Sequence, residues 1–351
     1  MSLPPQTPIT TDVRAEPLAY AAAAKEAAPG VVRNEAAQEL TDERAAAAAG
    51  RAPWRATLGT VAVYAVLVVG AVAMLVPFAW MLAASLTDAA TVAAGETGPM
   101  VAEALRDPKR ENYRLSLEAM GMQLDANADG RASFGELVRL RFPAVSNTIV
   151  VTVLCILGQT ISSSLVGYGF ARFNFRGRPF LFLLMLSTMM LPYQVTMIPV
   201  FVMFRWVGMI DTFWPLILPQ WFASPFFAFM FRQFFAQVPE ELTEAARIDG
   251  AGHFTIYWRM MLPLSGPVVA IVAIFTFMTT WNDFLAPLIY LNSPENRTLA
   301  LALNAFNGQY GIANANLLMA ASFVAMLPCI VLFFAAQRYF VDNAATSGLK
   351  G

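Results

Sequence analysis

Uncharged apolar stretches longer than a lipid bilayer constrain this chain more than any other feature. No charged residue occurs between Arg55 and Asp88, whereas a membrane-spanning helix needs only about 20 apolar residues. Hydrophobic residues make up 57% of the 351 residues and charged residues 13%, which is outside the usual range of soluble globular proteins. The sequence therefore predicts an all-α, polytopic membrane protein.

Six such stretches predict six transmembrane helices. Cytoplasmic loops carry an excess of Lys and Arg, and the basic residues of the short loops are concentrated on one side if both termini are cytoplasmic. The predicted spans are Leu58–Leu82, Asn147–Tyr168, Phe180–Phe204, Phe213–Phe231, Leu264–Tyr290 and Leu317–Phe340. The basic residues on the cytoplasmic side are Arg51, Arg55, Arg172, Arg176, Arg178, Arg232, Arg247, Arg259, Arg338 and Lys350.

The same pattern predicts the division of the chain into segments. The first segment is rich in Ala, Pro, Glu and Thr and offers nothing large to bury, so we expect a cytoplasmic tail that is disordered or partly helical. The segments are 1–55 for this tail, 56–86 for the first transmembrane helix, 87–146 for an external loop, 147–341 for a core of five further transmembrane helices, and 342–351 for a short cytoplasmic tail.

A polar, helix-forming segment, residues 239–263, lies between the fourth and fifth spans. Pro239 suits the first turn of a helix, where its missing N–H would have no partner anyway. Asp249 and Gly250 break this first helix, and a second apolar stripe from Phe254 to Met261 ends before Pro263. The segment therefore predicts a bent pair of short amphipathic helices on the cytoplasmic side.

Two interpretations of this helix pair compete. An amphipathic helix can insert into a groove on another protein, or it can lie on the membrane surface, in which case Lys and Arg should dominate its polar face. Only two arginines face four carboxylates in this segment, which favours docking on a protein. The charged residues are Arg247, Arg259, Glu240, Glu241, Glu244 and Asp249.

The same segment carries a family resemblance. Glu244-Ala245-Ala246, then Gly250, then Leu262-Pro263 resembles the EAA loop of ABC importer permeases, with Met260 where that family has Ile. More narrowly, the chain from Arg55 to Gly351, with one interruption, is similar to the maltose-type carbohydrate permeases. The segments that carry this similarity are 171–173, 244–250, 281–284 and 337–340.

The resemblance implies a transport function without chemistry by this chain. It implies the permease subunit of a type I carbohydrate importer in the bacterial inner membrane, working with a second permease in a heterodimer, a cytoplasmic ATPase dimer and an extracytoplasmic sugar-binding protein. The helix pair would be the coupling helix that docks in a cleft of the ATPase. No Walker-type glycine loop occurs, so a separate chain would hydrolyse ATP. The ATPase-coupling residues would be Glu244, Ala245, Ala246, Asp249 and Gly250.

The predicted external loop contains a calcium-binding pattern. Asp125 to Glu136 matches the EF-hand loop at every specified position, and its spacing supplies the oxygen ligands that Ca²⁺ prefers. The maltose-type permeases do not normally carry this loop, so it is interpreted as a small helical EF-hand-like insertion. The alternative is an Asn/Asp-rich turn without an ion. The candidate ligands are Asp125, Asn127, Asp129, Arg131, Ser133 and Glu136.

Ionisable residues are nearly absent from the predicted spans. Asp283 is the exception, and with Trp281 and Asn282 it combines a ring with hydrogen-bonding groups, as a sugar pathway would need. A structural network within the fifth span is the alternative. Tyr193 and Gln194 follow Pro192 and are further candidates for the pathway, although a proline kink with only packing consequences would also explain them.

Two other functional classes fit less well. An ion-coupled secondary transporter would need several carboxylates near the membrane midplane, whereas Asp283 stands alone. A membrane-embedded enzyme would need a nucleophile, a base and an orienting group together, and the single histidine, His253, lies outside the predicted spans. A net charge of −1 argues against a nucleic-acid partner.

Overall fold

The computed structural model describes residues 53–120, 143–309 and 314–347, and all regular secondary structure in these ranges is helical. Of the described residues, those up to Val76 form one unit and those from Pro77 onward form a second, larger unit. The first helix, α1 (Pro53–Ser85), has exposed side chains from Thr60 to Val76. A helix that is apolar all round is typical of a membrane span.

The second unit is a bundle of long helices joined by short helical turns. The short turns include 3₁₀ segments at Thr188–Met190, Leu218–Trp221 and Pro294–Asn296 and a π turn at Tyr257–Met261. The α-helices are α2 (Ala89–Ala94), α3 (Thr97–Arg106), α4 (Glu111–Ala119), α5 (Pro143–Arg172), α6 (Arg178–Ser187), α7 (Tyr193–Trp206), α8 (Trp214–Ile217), α9 (Pro225–Gln237), α10 (Glu240–Ile248), α11 (His253–Ile256), α12 (Leu262–Leu264), α13 (Gly266–Trp281), α14 (Leu285–Tyr290), α15 (Leu299–Gln309) and α16 (Ala315–Ser347).

Three helices in the described ranges are long and apolar enough to cross a membrane: α1, α5 and α16. Two bent pairs raise this number to five if each pair is one span: Arg178–Met190 with Tyr193–Trp206, at 96°, and His253–Leu264 with Gly266–Trp281, at 75°. These findings agree with a polytopic membrane protein. The fourth predicted span, Phe213–Phe231, is divided between α8, a 3₁₀ turn and α9, so the number six stays a prediction.

Three of the helix breaks have the same local cause. Leu191, Ser224 and Val238 each precede a proline, and their ψ angles are 116°, 130° and 127°. The residue before proline is pushed from helical to extended backbone because the proline ring clashes with it. The prolines that follow these residues therefore favour the helix breaks before α7, α9 and the polar segment.

Helix α5 lies at the centre of the second unit and packs most extensively against α9 and α13. The contact with α9 is close enough to exclude a side chain at Gly167, where a Cβ atom would lie 2.6 Å from the Cβ of Phe231 and 2.9 Å from the carbonyl oxygen of Ala228. Small residues permit this kind of close backbone approach between membrane helices.

An aromatic cluster occupies the C-terminal end of α5. Its rings meet edge to face and stacked, as Tyr168 on Phe235 and Phe231 on Phe235 illustrate, and such pairs add to the stabilisation from buried apolar area. The buried members are Tyr168, Phe231, Phe235, Ile256, Tyr257, Met261, Val268 and Val272.

The short helices α2 to α4 are tied to the bundle by buried amides. Asn112 on α4 donates from Nδ2 to the carbonyl oxygens of Ser85 and Thr87, both at 2.9 Å, and Asn316 on α16 donates to Thr87 at 3.2 Å. Helix α4 also packs along α16. The predicted calcium loop, Asp125–Glu136, follows α4 and lies outside the described residues.

Candidate functional site

Helix α10 carries the predicted coupling residues and ends in a defined C-terminal motif. Beyond its C-cap, Asp249, the amide of Gly250 donates to the carbonyl oxygen of Arg247 at 3.0 Å and the amide of Ala251 donates to that of Ala246 at 2.9 Å. This pair of hydrogen bonds is the Schellman motif. Gly250 has φ +83°, a left-handed conformation that glycine adopts without strain. The predicted break at this glycine is therefore found in the structure.

One face of α10 packs on the protein and the other is exposed. Thr243 is buried and Ala246 packs against the aromatic cluster, whereas Glu244, Ala245 and Asp249 are exposed. Leu242 is also exposed, so the apolar residues of α10 are divided between the two sides. Ile248 is 87% exposed, which leaves a large apolar side chain in contact with solvent or a partner.

In the second half of the polar segment, the apolar stripe is also divided between buried and exposed side chains. Tyr257 and Met261 are fully buried, and the Tyr257 hydroxyl lies 2.7 Å from that of Ser164. Phe254 and Trp258 are 70% and 50% exposed and stack on each other with 10° between their planes. We call Ile248, Phe254 and Trp258 the apolar edge. Adjacent exposed apolar side chains of this size are typical of a protein interface.

Arg172 stabilises the turn between α9 and α10. Its Nη2 atom donates to the carbonyl oxygens of Phe235 and Val238, at 2.8 and 2.6 Å. These carbonyls end α9, where a positive charge is favoured by the helix dipole. In the sequence, Arg172 was recognised as a cytoplasmic charge and as part of the segment 171–173 that carries the family resemblance, but its structural role was not predicted. The signal for that role was an arginine at the end of an apolar run followed at a distance by a proline break.

Two of the predicted pathway residues, Trp281 and Asp283, have structural partners within the protein. Trp281 is buried, stacks on Phe277 and donates from Nε1 to the carbonyl oxygen of Ala325 at 3.1 Å. Asp283 accepts a hydrogen bond from the amide of Ala286 at 3.2 Å, at the start of α14. These contacts fit the structural network that was the alternative interpretation.

Only part of the predicted pathway set comes together. Trp281 and Asn282 line a cavity of about 350 Å³ with Leu299, Ser322 and Met326. Tyr193 and Gln194 lie outside this lining, exposed at the start of α7. Tyr193 is nevertheless near enough to the Asp283 carboxylate for a Coulombic interaction, so one of the two α7 residues approaches the turn between α13 and α14.

Sequence analysis missed Asp211, which joins two loops at the N-terminal end of α5. Its carboxylate accepts hydrogen bonds from the amides of Asn292 and Ser293, both at 2.9 Å, and from the Ser293 hydroxyl. Asn296 donates from Nδ2 to the Asp211 carbonyl oxygen at 2.9 Å. These four residues form the Asp211 clamp. The donors, with the Ser293 hydroxyl the strongest, hold the pKa of Asp211 well below its usual value.

Two further side chains on α5 hold the same loop. Asn147 donates from Nδ2 to the carbonyl oxygens of Glu295 and Arg297, at 2.7 and 3.1 Å. The Thr148 hydroxyl accepts from the amide of Leu299 at 2.8 Å, which satisfies an amide that begins α15. The loop before α15 is therefore fixed from two directions.

Several helices long and apolar enough to cross a membrane define the chain as a polytopic membrane protein, and one face of its polar segment is exposed. Residues 163–345 match the family described as binding-protein-dependent transport system inner membrane component. The chain belongs to this family. This membership confirms the resemblance to binding-protein-dependent ABC importer permeases.

Known relatives and one solved structure agree with this membership. The chain is 37% identical over 205 residues to the arabinooligosaccharides transport system permease protein AraQ of Halalkalibacterium halodurans, covering 58% of this chain and 73% of that protein. It is 33% identical over 207 residues to the maltodextrin transport system permease protein MdxG of Bacillus subtilis, covering 59% and 74%.

The solved structure is similar in fold. A chain from a bacterial ABC transporter involved in the import of the acidic polysaccharide alginate matches with a TM-score of 0.65 at 20% identity, covering 83% of this chain and 99% of that chain. At this identity the likeness is one of fold alone.

Proposed function

We propose that this chain is the transmembrane permease subunit of an ATP-driven carbohydrate importer. It forms half of the translocation pathway and transmits the movement of a cytoplasmic ATPase to that pathway. The observation that carries the proposal is the family membership, together with relatives whose names specify arabinooligosaccharides and maltodextrin as cargo. The same membership disfavours an ion-coupled secondary transporter.

The coupling role is supported by the way α10 is mounted. Its exposed side carries Glu244, Ala245 and Asp249, and the apolar edge continues that surface. Its buried side rests on the aromatic cluster, in which Tyr257 and Met261 are fully enclosed. A helix that is anchored on one side and free on the other can transmit a push as a rigid body, and nucleotide binding would bias the two-state switching of the pathway.

The remaining partners follow from the same proposal. A second, related permease would complete the pathway, an ATPase dimer would bind the side that carries the polar segment, and an extracytoplasmic sugar-binding protein would deliver the cargo. The chain would lie in a bacterial inner membrane with both termini in the cytoplasm. ATP hydrolysis would belong to the ATPase subunits, so this subunit is not an enzyme.

The cavity beside Trp281 and Asn282 is the proposed place of sugar contact. A ring next to amide groups suits the alternating apolar and hydroxyl surfaces of a carbohydrate. Trp281 is largely enclosed, so we assign its ring to the cavity wall and Asn282, which is exposed, to direct contact. Asp283 and Tyr193 would shape the mouth of the pathway, and Gln194 would lie further along it.

Calcium binding at Asp125 to Glu136 stays a proposal from the sequence pattern alone. The loop would take Ca²⁺ through the side chains of Asp125, Asn127, Asp129, Ser133 and Glu136 and the carbonyl oxygen of Arg131. Within the described residues, no group of three or more His, Cys, Asp or Glu side chains could hold a metal ion.

The test of the coupling assignment is ATP-dependent uptake by the complete importer in vesicles, with radiolabelled maltodextrin and arabino-oligosaccharide as cargoes. We expect Glu244→Lys to abolish uptake and to lower the amount of ATPase that co-purifies. Glu96→Lys is the matched control, because Glu96 is an exposed carboxylate before α3, away from the polar segment. Equal uptake and equal ATPase recovery in the Glu244 variant would show that this residue has no coupling role.

A further inference from the structure

An open cavity of about 900 Å³ lies between the start of α6 and α9, outside the sites described above. Three arginines line it: Arg176 from the loop after α5, Arg178 from the first position of α6 and Arg232 from α9. None of its lining residues is acidic. The cavity lies at the same end of α5 as the polar segment, because Arg172 bonds the end of α5 to the end of α9 there.

The three guanidinium groups have no carboxylate partner among the described residues. All four ion pairs of the described residues lie between residues 88 and 118. Arg178 donates to the Asn174 amide oxygen at 2.9 Å, and the Arg232 guanidinium lies 4.3 Å from the centre of the Phe182 ring. Both contacts orient a guanidinium and leave its charge uncompensated, which suits an anionic ligand with several oxygen acceptors.

The other walls of the cavity are apolar and continue onto an exposed helix face. Phe182, Leu183 and Leu186 line the cavity, and Phe180 and Leu183 are 68% and 66% exposed. Helix α6 begins at Arg178 and opens one of the two bent pairs that qualify as a span. The basic side of the cavity therefore lies at the end of an apolar helix, at the depth where lipid headgroups meet acyl chains.

We infer that this cavity binds the headgroup of an anionic phospholipid. The phosphodiester would lie among Arg176, Arg178 and Arg232, and an acyl chain would follow Phe180 and Leu183 along α6. A basic recess with an apolar continuation matches both parts of such a molecule, whereas a soluble phosphate would use only the recess. Basic sites between transmembrane helices bind anionic headgroups by this chemistry. The inference rests on the membrane location and is independent of the cargo and of ATPase coupling.

The experiment uses the intact importer in nanodiscs of phosphatidylcholine that contain a trace of photoactivatable phosphatidylglycerol. Cross-links are mapped by peptide mass spectrometry, and photoactivatable phosphatidylcholine is the parallel probe. We expect phosphatidylglycerol to label α6 preferentially, unlabelled phosphatidylglycerol to displace it, and glycerol phosphate to have no effect. Each arginine replaced by glutamine should weaken the competition by about fivefold.

Matched variants separate the site from general charge effects. Arg176→Gln tests the site, Arg176→Lys should restore most of the labelling, and Arg205→Gln removes an exposed arginine at the end of α7 that does not line the cavity.

Equal labelling by both probes would overturn the inference, since it would show ordinary lipid contact. Displacement by glycerol phosphate would assign the cavity to a soluble phosphate ester instead. Absence of labelling in the intact importer would assign the surface to a partner subunit. If a variant fails to fold, the comparison of the two lipid probes in the unmodified protein still tests whether the cavity prefers an anionic lipid.

Discussion

The two ends of α5 each hold a loop in place, but they do so by different chemistry. At the Arg172 end, the polar segment rests on an apolar aromatic cluster and carries an exposed apolar edge. At the Asn147 end, the loop before α15 is held by directed hydrogen bonds from Asn147, Thr148 and Asp211. The ends are separated by roughly 37 Å along the helix, at 1.5 Å per residue.

This difference indicates which end of α5 can be displaced by a partner. We call the Arg172 end, with the polar segment, the coupling end. Directed bonds hold the residues on either side of α10, from Arg172 to Val238 before it and between Tyr257 and Ser164 after it. Helix α10 itself rests on its cluster by apolar packing, which is non-directional and lets the helix tilt between these bonds. Hydrogen bonds between defined atoms lose strength steeply with misalignment, so the Asp211 clamp fixes one geometry. We therefore expect a coupling end that can be displaced by a partner and an opposite end that holds its shape until several bonds break together.

The largest effect on stability should come from breaking the contact between α5 and α9, which supports the polar segment at the Arg172 end of α5. Gly167→Leu would drive a side chain into Phe231 and Ala228, and overpacking of this kind costs about 3 kcal/mol or more of folding free energy. We expect a strongly lowered melting temperature in detergent and little assembled importer.

Gly169→Leu is the matched control for this contact. Gly169 lies two residues further along α5, and a Cβ atom there would meet nothing within 4 Å. Its melting temperature should stay close to that of the unmodified protein. If both leucine variants were equally stable, the close approach of α5 and α9 would not be needed for the fold.

A smaller effect, specific to the other end, should come from the Asp211 clamp. The folded protein lowers the pKa of Asp211, so the stabilisation is complete above the unfolded-chain pKa of about 3.9 and is lost as the pH falls toward the folded value. We expect Asp211→Asn to lower the melting temperature at pH 6 and to reduce the loss of stability between pH 5 and acid.

Asp249→Asn provides the comparison at the coupling end, because Asp249 is exposed beside Gly250. Its acid denaturation profile should follow that of the unmodified protein. A profile of Asp211→Asn that also follows the unmodified protein would show that the clamp does not contribute to stability.

The smallest effect on stability should come from the bend after α10. Gly250→Ala places a side chain at φ +83° and should cost about 1 kcal/mol locally, with a marked loss of ATP-dependent uptake because the polar segment changes direction there. Gly252→Ala is the control, since Gly252 has φ −73° and open space around it. Uptake that falls equally in both variants would disprove a specific role for the left-handed residue.

The sequence predicts the parts of the fold that depend on local chemistry. The uncharged runs of α1, α5 and α16 indicated the three long apolar helices, and Gly250 indicated the end of α10. The prolines after Leu191 and Val238 indicated helix breaks. The angles of the bends, 96° and 75°, depend on packing between elements and could not be derived from these residues.

The features of the fold and site that could not be predicted depend on contacts between residues that are distant in the chain. Asp211 bonds residues that are 81 to 85 positions away, and one sequence contains no signal that pairs them. Trp258 and Tyr257 both belonged to one predicted stripe, but the π turn at Tyr257–Met261 changes the helical period, so one ring is exposed and its neighbour is buried. The same limit applies to the basic cavity, whose arginines come from the loop after α5, from α6 and from α9.

The prolines that follow Leu191, Ser224 and Val238 have a consequence for the biogenesis of the protein. Because each break is favoured by a clash between adjacent residues, the preference acts while the chain leaves the ribosome, before distant segments are available. Prolines also occur inside helices of this chain, at 77, 199 and 328, so the local preference favours a break and packing completes it. The start of the polar segment is thus favoured by its own sequence from the moment of synthesis, and α10 does not need a partner to begin at Glu240.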